Sequence, residues 1–220
     1  MIDIGTAIVS YIEPHPGQAR AFNEWYERDH FPAAVLAGPG VFAGARFVAT
    51  KACKELRPTT GTLFGDPDRG SYLAVAWVLP GHQHEWDAWV VREMETITAE
   101  GRLFPGRDHV HTAVYECGWS GGDVPAILAL DRGFAGVIAV AGTNLPPKPT
   151  GTTSASAVGL SLSRTIVSSA DPPPHELALL FCDRDPITTF RGLELDPERY
   201  GFASPFLATV PGTDTYVEEL

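Results

Sequence analysis

The chain has 220 residues, 44% hydrophobic and 20% charged, with a formal net charge of −11. That is ordinary globular material, enough for one large domain or two small ones. The acidic balance argues against a nucleic-acid partner or an anionic membrane surface, both of which need clustered Lys and Arg. No apolar run of about 18 residues occurs, and no basic segment leads into an apolar one. Neither a membrane span nor a secretory signal is therefore expected, and the expected location is the cytoplasm. Cys53, Cys117 and Cys182 are widely spaced and form no CxxC pair, so they read as thiols that behave as small buried hydrophobes rather than as a disulfide framework or zinc knuckle.

In chain order, Ile2 to Ile12 alternates β-branched and small residues and meets a Pro-rich turn, which predicts a strand. A helix follows, in which Phe22, Trp25, Tyr26, Asp29 and His30 fall three and four apart and make one stripe, aromatic at one end and ionisable at the other. Pro32 disfavours helical geometry at Phe31, so this helix is expected to stop or kink just beyond His30. Val41 to Thr50 reads as a second strand, Lys51 to Gly70 as a loop and Ser71 to Leu79 as a third strand. From His84 to Ala99 the positions Trp86, Trp89, Val90, Met94 and Ile97 recur at helical spacing, with Gly101 as a C-cap. Arg107 to Gly118 is a fourth strand.

The order β-α-β-β-α-β is the split βαβ, or ferredoxin-like, arrangement, an antiparallel sheet whose helices cover only one face. The second half repeats the strand rhythm at Ala135 to Ala141, Val158 to Ser168, Glu176 to Phe181 and Phe206 to Val217. GARFVAT, ending at Thr50, is echoed by SRTIVSS, ending at Ser169, and YLAVAWVLPG by ELALLFCDRDP, which reads as a divergent internal repeat. In place of a first helix the second copy has the Pro/Gly/Thr/Ser stretch Asn144 to Ser156, read as a loop. The expected fold is therefore α+β, with two ferredoxin-like units, 1–120 carrying the site and a degenerate 121–220, whose sheets pack into one barrel.

His30 is the leading candidate for chemistry, because an imidazole exchanges a proton near neutrality. Tyr26, one turn earlier, is a hydrogen-bond donor or relay. Asp29 is adjacent in sequence and so rotated around the helix, which leaves its role as an orienting partner open. Alternation on the fourth strand puts His109 and His111 on one face with Tyr115; on the helix side they would stabilise an oxyanion, and on the other side they would be polar filler. Phe22, Trp25, Phe47, Trp77, Trp86 and Trp89 are candidates for an aromatic pocket, with plain core packing as the competing reading for the tryptophans. No third ligand stands at a telling spacing from the two strand histidines, and no G-x-G-x-x-G, Walker A or G-x-S-x-G motif is present. Neither a metal nor an organic cofactor is expected.

WYERDHFP followed by GPGVFAGARF resembles the dimeric α+β barrel superfamily, whose members often carry W-Y-x-x-E-H-x-P and P-G-F-x-x-A-R on the first helix and second strand. The match covers the first half and departs at Asp29, where Glu is common; the second half matches only in strand order. The resemblance implies two ferredoxin-like units packed sheet to sheet, each able to hold a small ligand between sheet and helices. A tandem chain would close the barrel alone, as a monomer or within a homodimer. The superfamily includes EthD-like proteins, polyketide cyclases, muconolactone isomerases and monooxygenases, so the resemblance leaves several functions open. The leading expectation is a cofactor-independent lyase, isomerase or cyclase using His/Tyr acid–base chemistry on a small aromatic or polyketide-like substrate. The alternatives are a cofactor-free or heme-using monooxygenase and a non-enzymatic ligand-binding or stress protein.

Overall fold

The computed structural model describes residues 3–58, 66–121, 133–142, 156–195 and 200–220. Its strands are β1 (Thr6–Pro14), β2 (Val41–Val48), β3 (Tyr72–Val78), β4 (Arg107–Gly121), β5 (Gly136–Gly142), β6 (Ser156–Ser168), β7 (Glu176–Cys182) and β8 (Phe202–Ala208). They close into an antiparallel barrel in the order β1-β3-β2-β8-β5-β7-β6-β4. Within it β4-β1-β3-β2 and β8-β5-β7-β6 are consecutive, so the four strands of each half keep the same relative order. Closure satisfies the backbone groups that an open sheet leaves at its edges.

Strand alternation sorts the side chains into two layers. Ala7, Val9 and Tyr11 of β1 point inward, where they join Phe47, Leu73, Trp77, Tyr115, Phe181 and Phe206 in one filled core. Ile8 and Ile12 point outward beneath the helices. The interior also holds Arg57, whose guanidinium donates to the carbonyls of Pro67, Arg69 and Gly70 and to Ser204, and lies over Phe202 and Phe206. With every side of the fork answered, this charge is retained inside an apolar barrel.

The helices of the first half are α1 (Ala19–Trp25) and α3 (Gln83–Ala99), with a four-residue α2 (Lys51–Lys54) opening the stretch read as a loop. The helix does not stop at Pro32. Instead α1 runs on through two wider π turns, Tyr26–His30 and Pro32–Leu36, with Phe31 still helical at φ −65° and ψ −47°. The Phe31 N–H donates to the Tyr26 carbonyl and the Ala37 N–H to that of Pro32. The i→i−5 pattern widens the helix around the missing proline N–H, which explains why the chain continues. Arg46, the arginine of GARF, pins this helix to β2: it pairs with Glu27 at 2.9 Å, donates to Asn23 Oδ1 and lies over the Tyr26 ring.

Helix α3 ends as its sequence predicts. Gly101 takes φ 68° and the Arg102 N–H returns to the Ile97 carbonyl, a Schellman closure that needs a residue tolerant of the left-handed region. In the second half the short α4 (Pro186–Arg191) is N-capped by Asp185, which accepts from the Ile187 and Thr188 N–H groups. The expected final strand is displaced. Phe202–Ala208 forms it, while Pro211 and Gly212 (φ 75°) turn the chain and Val217 lies in a 3₁₀ turn. Pro205 sits within this strand, opposite Ile138. The stretch Asn144 to Ser156 lies outside the described residues up to Ser156, the first residue of β6.

Candidate functional site

A cavity of about 930 Å³ lies between the outer face of the sheet and the two helices of the first half. Its floor is Ile8 and Ser10 of β1 and His109 and Thr112 of β4. The widened helix contributes Tyr26, His30, Ala34 and Val35, and α3 contributes Trp86, Val90 and Met94. Arg164, Ile166 and Val167 of β6 close a further side, and Asp87 pairs with Arg164 at 2.7 Å on the half-exposed rim. The size suits a ligand of several fused rings.

His30 is 8% exposed, and its buried Nδ1 has no hydrogen-bond partner among the described residues. Burial lowers its pKa to about 3, reinforced by the Arg107 charge and His109 and opposed only by Asp29. The imidazole is thus neutral at physiological pH, and an orphaned buried nitrogen of this kind costs about 1–3 kcal/mol. Trp25 does not line the cavity. It stands behind the histidine, its indole stacked on the imidazole at 4.6 Å between centroids and 21° between planes, and its Nε1 donates to the Arg102 carbonyl. The tryptophan therefore fixes the ring that the cavity presents.

Tyr26 lines the cavity beside His30, with ring centroids 5.2 Å apart, but no hydrogen bond joins them among the described residues. Burial pushes its pKa up to about 12, so the phenol keeps its proton and can act only as a donor or slow acid. Asp29, in contrast, is directed to Arg102, which donates to both its oxygens and holds the carboxyl below the usual range. It does not line the cavity and does not orient His30.

Simple alternation fails for the two strand histidines. His109 pairs opposite Ile12 and His111 opposite Tyr11, so Val110 is an extra residue on β4, a β-bulge. The bulge sends the side chains to opposite faces. His109 enters the cavity, where its Nε2 accepts from Arg107 Nε at 3.3 Å. The ring proton must then be on Nδ1, 3.1 Å from Thr112 Oγ1, which in turn donates to Ser10 Oγ. Both nitrogens of His109 are thus engaged, and burial and Arg107 lower its pKa to about 4. His111 is fully buried inside the barrel between Ser168 Oγ and the Tyr115 hydroxyl, which makes it polar filler.

The aromatic candidates divide by the same geometry. Trp86 is cavity wall. Phe22 is core between helix and sheet, Trp77 points into the barrel opposite Ala7, and Phe47 joins it there. Trp89 packs at the helix–sheet boundary against the turn at Gly38, off the cavity. Arg107 is the residue that sequence reasoning missed. It lines the cavity, its guanidinium carbon sits 4.4 Å over the Trp25 ring, and it donates to the Phe104 carbonyl. Its spacing of two from His109 was the available signal, since both lie before the bulge and share a face. Among the described residues no group of three or more His, Cys, Asp or Glu is placed to hold a metal, and no helix is long and apolar enough to cross a membrane.

No protein-family model matches the chain, and no curated protein does. Among solved structures, that of an anthrone oxidase-like protein has a TM-score of 0.55 and 9% identity, over 94% of this chain and 92% of that one. A likeness at this identity concerns the fold: an α+β chain closed into one antiparallel barrel.

Proposed function

We propose that the chain is an enzyme that abstracts a proton from an enolisable or phenolic polycyclic aromatic, with His30 as the general base. The observation that supports this reading is the neutral imidazole of His30, held by Trp25 in the lining of a largely apolar cavity of about 930 Å³. A neutral base in a desolvated site meets a ligand proton without first shedding water. Tyr26 is the hydrogen-bond donor beside it. The barrel, in this reading, is two ferredoxin-like units in tandem, as in the dimeric α+β barrel superfamily, with 1–120 carrying the site and 121–220 completing the wall. One chain then suffices for activity.

The carbanion formed has two fates. Reprotonation or elimination gives the isomerase, lyase or cyclase chemistry expected from the sequence. Reaction with dioxygen and loss of water converts an anthrone to its quinone without any cofactor. The name of the solved anthrone oxidase-like structure favours testing that second outcome. Anthrone in deuterated buffer under argon separates the steps, because hydrogen–deuterium exchange at the acidic methylene reports proton abstraction alone, and oxygen consumption in air reports oxidation. We expect enzyme-dependent exchange that falls at least about 100-fold in His30→Gln, the usual lower range for losing a general base. A folded His30→Gln protein with full exchange activity refutes the assignment. Failure of anthrone and its hydroxylated analogues to exchange at all refutes the substrate class.

A further inference from the structure

We infer that Arg107 binds the oxygen anion of the ligand, so that the cavity takes an ionised phenolic or enolic ring system. The two buried arginines of the first half and the half-buried Arg107 differ in their partners. Arg46 has Glu27 and Asn23, and Arg57 has three carbonyls and a serine. Arg107 donates through Nε to His109 and through Nη1 to the Phe104 carbonyl, while Nη2 has no acceptor among the described residues. No carboxylate there lies within ion-pair distance of it: Asp29 is taken by Arg102, Asp87 by Arg164, and Glu95 lines the cavity without reaching it.

A half-buried guanidinium with a free donor and no counter-charge attracts an anion, and its planar fork suits an oxygen acceptor. The neutral rings of His30 and His109 offer it none. Its stem is fixed by the indole beneath and the carbonyl beside it, so little side-chain entropy is lost when an oxyanion arrives. The arrangement thus divides the reaction: His30 takes the proton and Arg107 meets the negative oxygen across the ring system. The inference rests on reading this cavity as the ligand site, and it does not require turnover.

The test is the ionisation of a bound chromophoric phenol. A nitronaphthol, whose phenol and phenolate differ in visible absorbance, is titrated with pH in the presence of saturating protein, and its methyl ether serves as a ligand that cannot ionise. We expect the bound phenol to ionise at least one pH unit below the free one, as an opposite charge within about 4–6 Å produces. The downshift should disappear in Arg107→Met and persist largely in Arg107→Lys, with binding of the methyl ether showing that each variant still takes the ring system. An unshifted or raised value in the wild type, or the same downshift in Arg107→Met, overturns the role of Arg107 while the cavity remains a ligand site for His30. If neither nitronaphthol nor its ether binds, both this inference and the cavity reading are overturned.

Discussion

His111 offers a quantitative test of the barrel interior, because its role is decided entirely by the face it occupies. The imidazole is fully buried between Ser168 Oγ at 3.0 Å and the Tyr115 hydroxyl at 2.8 Å, and burial lowers its pKa to about 4. In the unfolded chain the value returns to about 6.5. Between these limits the unfolded state binds the extra proton, so stability is complete above pH 6.5 and falls as pH drops toward 4. At pH 5.0 the loss from this one group is about 2 kcal/mol, and at pH 7.5 it is close to zero. His111→Gln removes the titration while keeping an amide that can donate to and accept from the same partners. We expect the variant to be less stable than wild type at pH 7.5, by about 1–2 kcal/mol for imperfect hydrogen bonds, and to recover about 2 kcal/mol relative to wild type at pH 5.0. Urea unfolding followed by tryptophan fluorescence at the two values measures both numbers. His30 and His109 titrate alike in the two proteins and cancel in the difference. A wild-type-minus-variant difference that stays constant from pH 7.5 to 5.0 shows that His111 can be protonated in place, and refutes the dry interior.

Four further outcomes follow from the geometry. Because His30 keeps its neutral, basic form down to about pH 3, kcat/KM for proton abstraction should show no loss attributable to it from pH 8 to 5; an acidic limb near 6.5 would place His30 in water. Asp29→Asn should leave methylene exchange unchanged and cost no more than about 1 kcal/mol, since it loses only a half-exposed ion pair with Arg102; a large loss of exchange activity in a folded variant would show that the carboxylate acts on His30 after all. At Gly38 an added Cβ would meet the Trp86 indole at 2.3 Å, so Gly38→Ala should destabilise by about 1–3 kcal/mol and shift tryptophan emission as the cavity wall moves; unchanged emission and stability contradict that packing. Phe206→Ala, emptying a fully buried barrel position, should cost about 3–5 kcal/mol by thermal or urea unfolding, and a cost near zero would mean the barrel is not filled there.

Periodicity alone located most elements, because side-chain alternation and the three-to-four residue repeat are local properties of a strand and a helix. It placed β1 through β7 and the long second helix within a few residues, and the glycine stop at Gly101 followed from backbone sterics. The stripe from Phe22 to His30 also put Tyr26 and His30 on the same side correctly, since residues four apart remain neighbours even in a widened turn. Local rules failed where a neighbouring element changed the outcome. Pro32 was absorbed by π turns, and the last strand formed at Phe202–Ala208 through a pairing with β5 that the sequence could not display.

The sequence by itself thus determined which segments are strands and helices, and that an acid, a tyrosine and a histidine share the first helix. Tertiary structure decided which of them line the cavity. A single extra residue in β4 separated His109 from His111, because side-chain direction reverses at every residue and one bulge inverts the parity beyond it. Closure of the barrel turned Phe47 and Trp77 inward, and Arg102, brought by the turn after α3, drew Asp29 away from the histidine beside it. The same packing set Arg107 and His30 around one indole. Charge, aromaticity and spacing are written along the chain, but the partner that leaves one group answered and another orphaned is supplied only by residues distant in sequence.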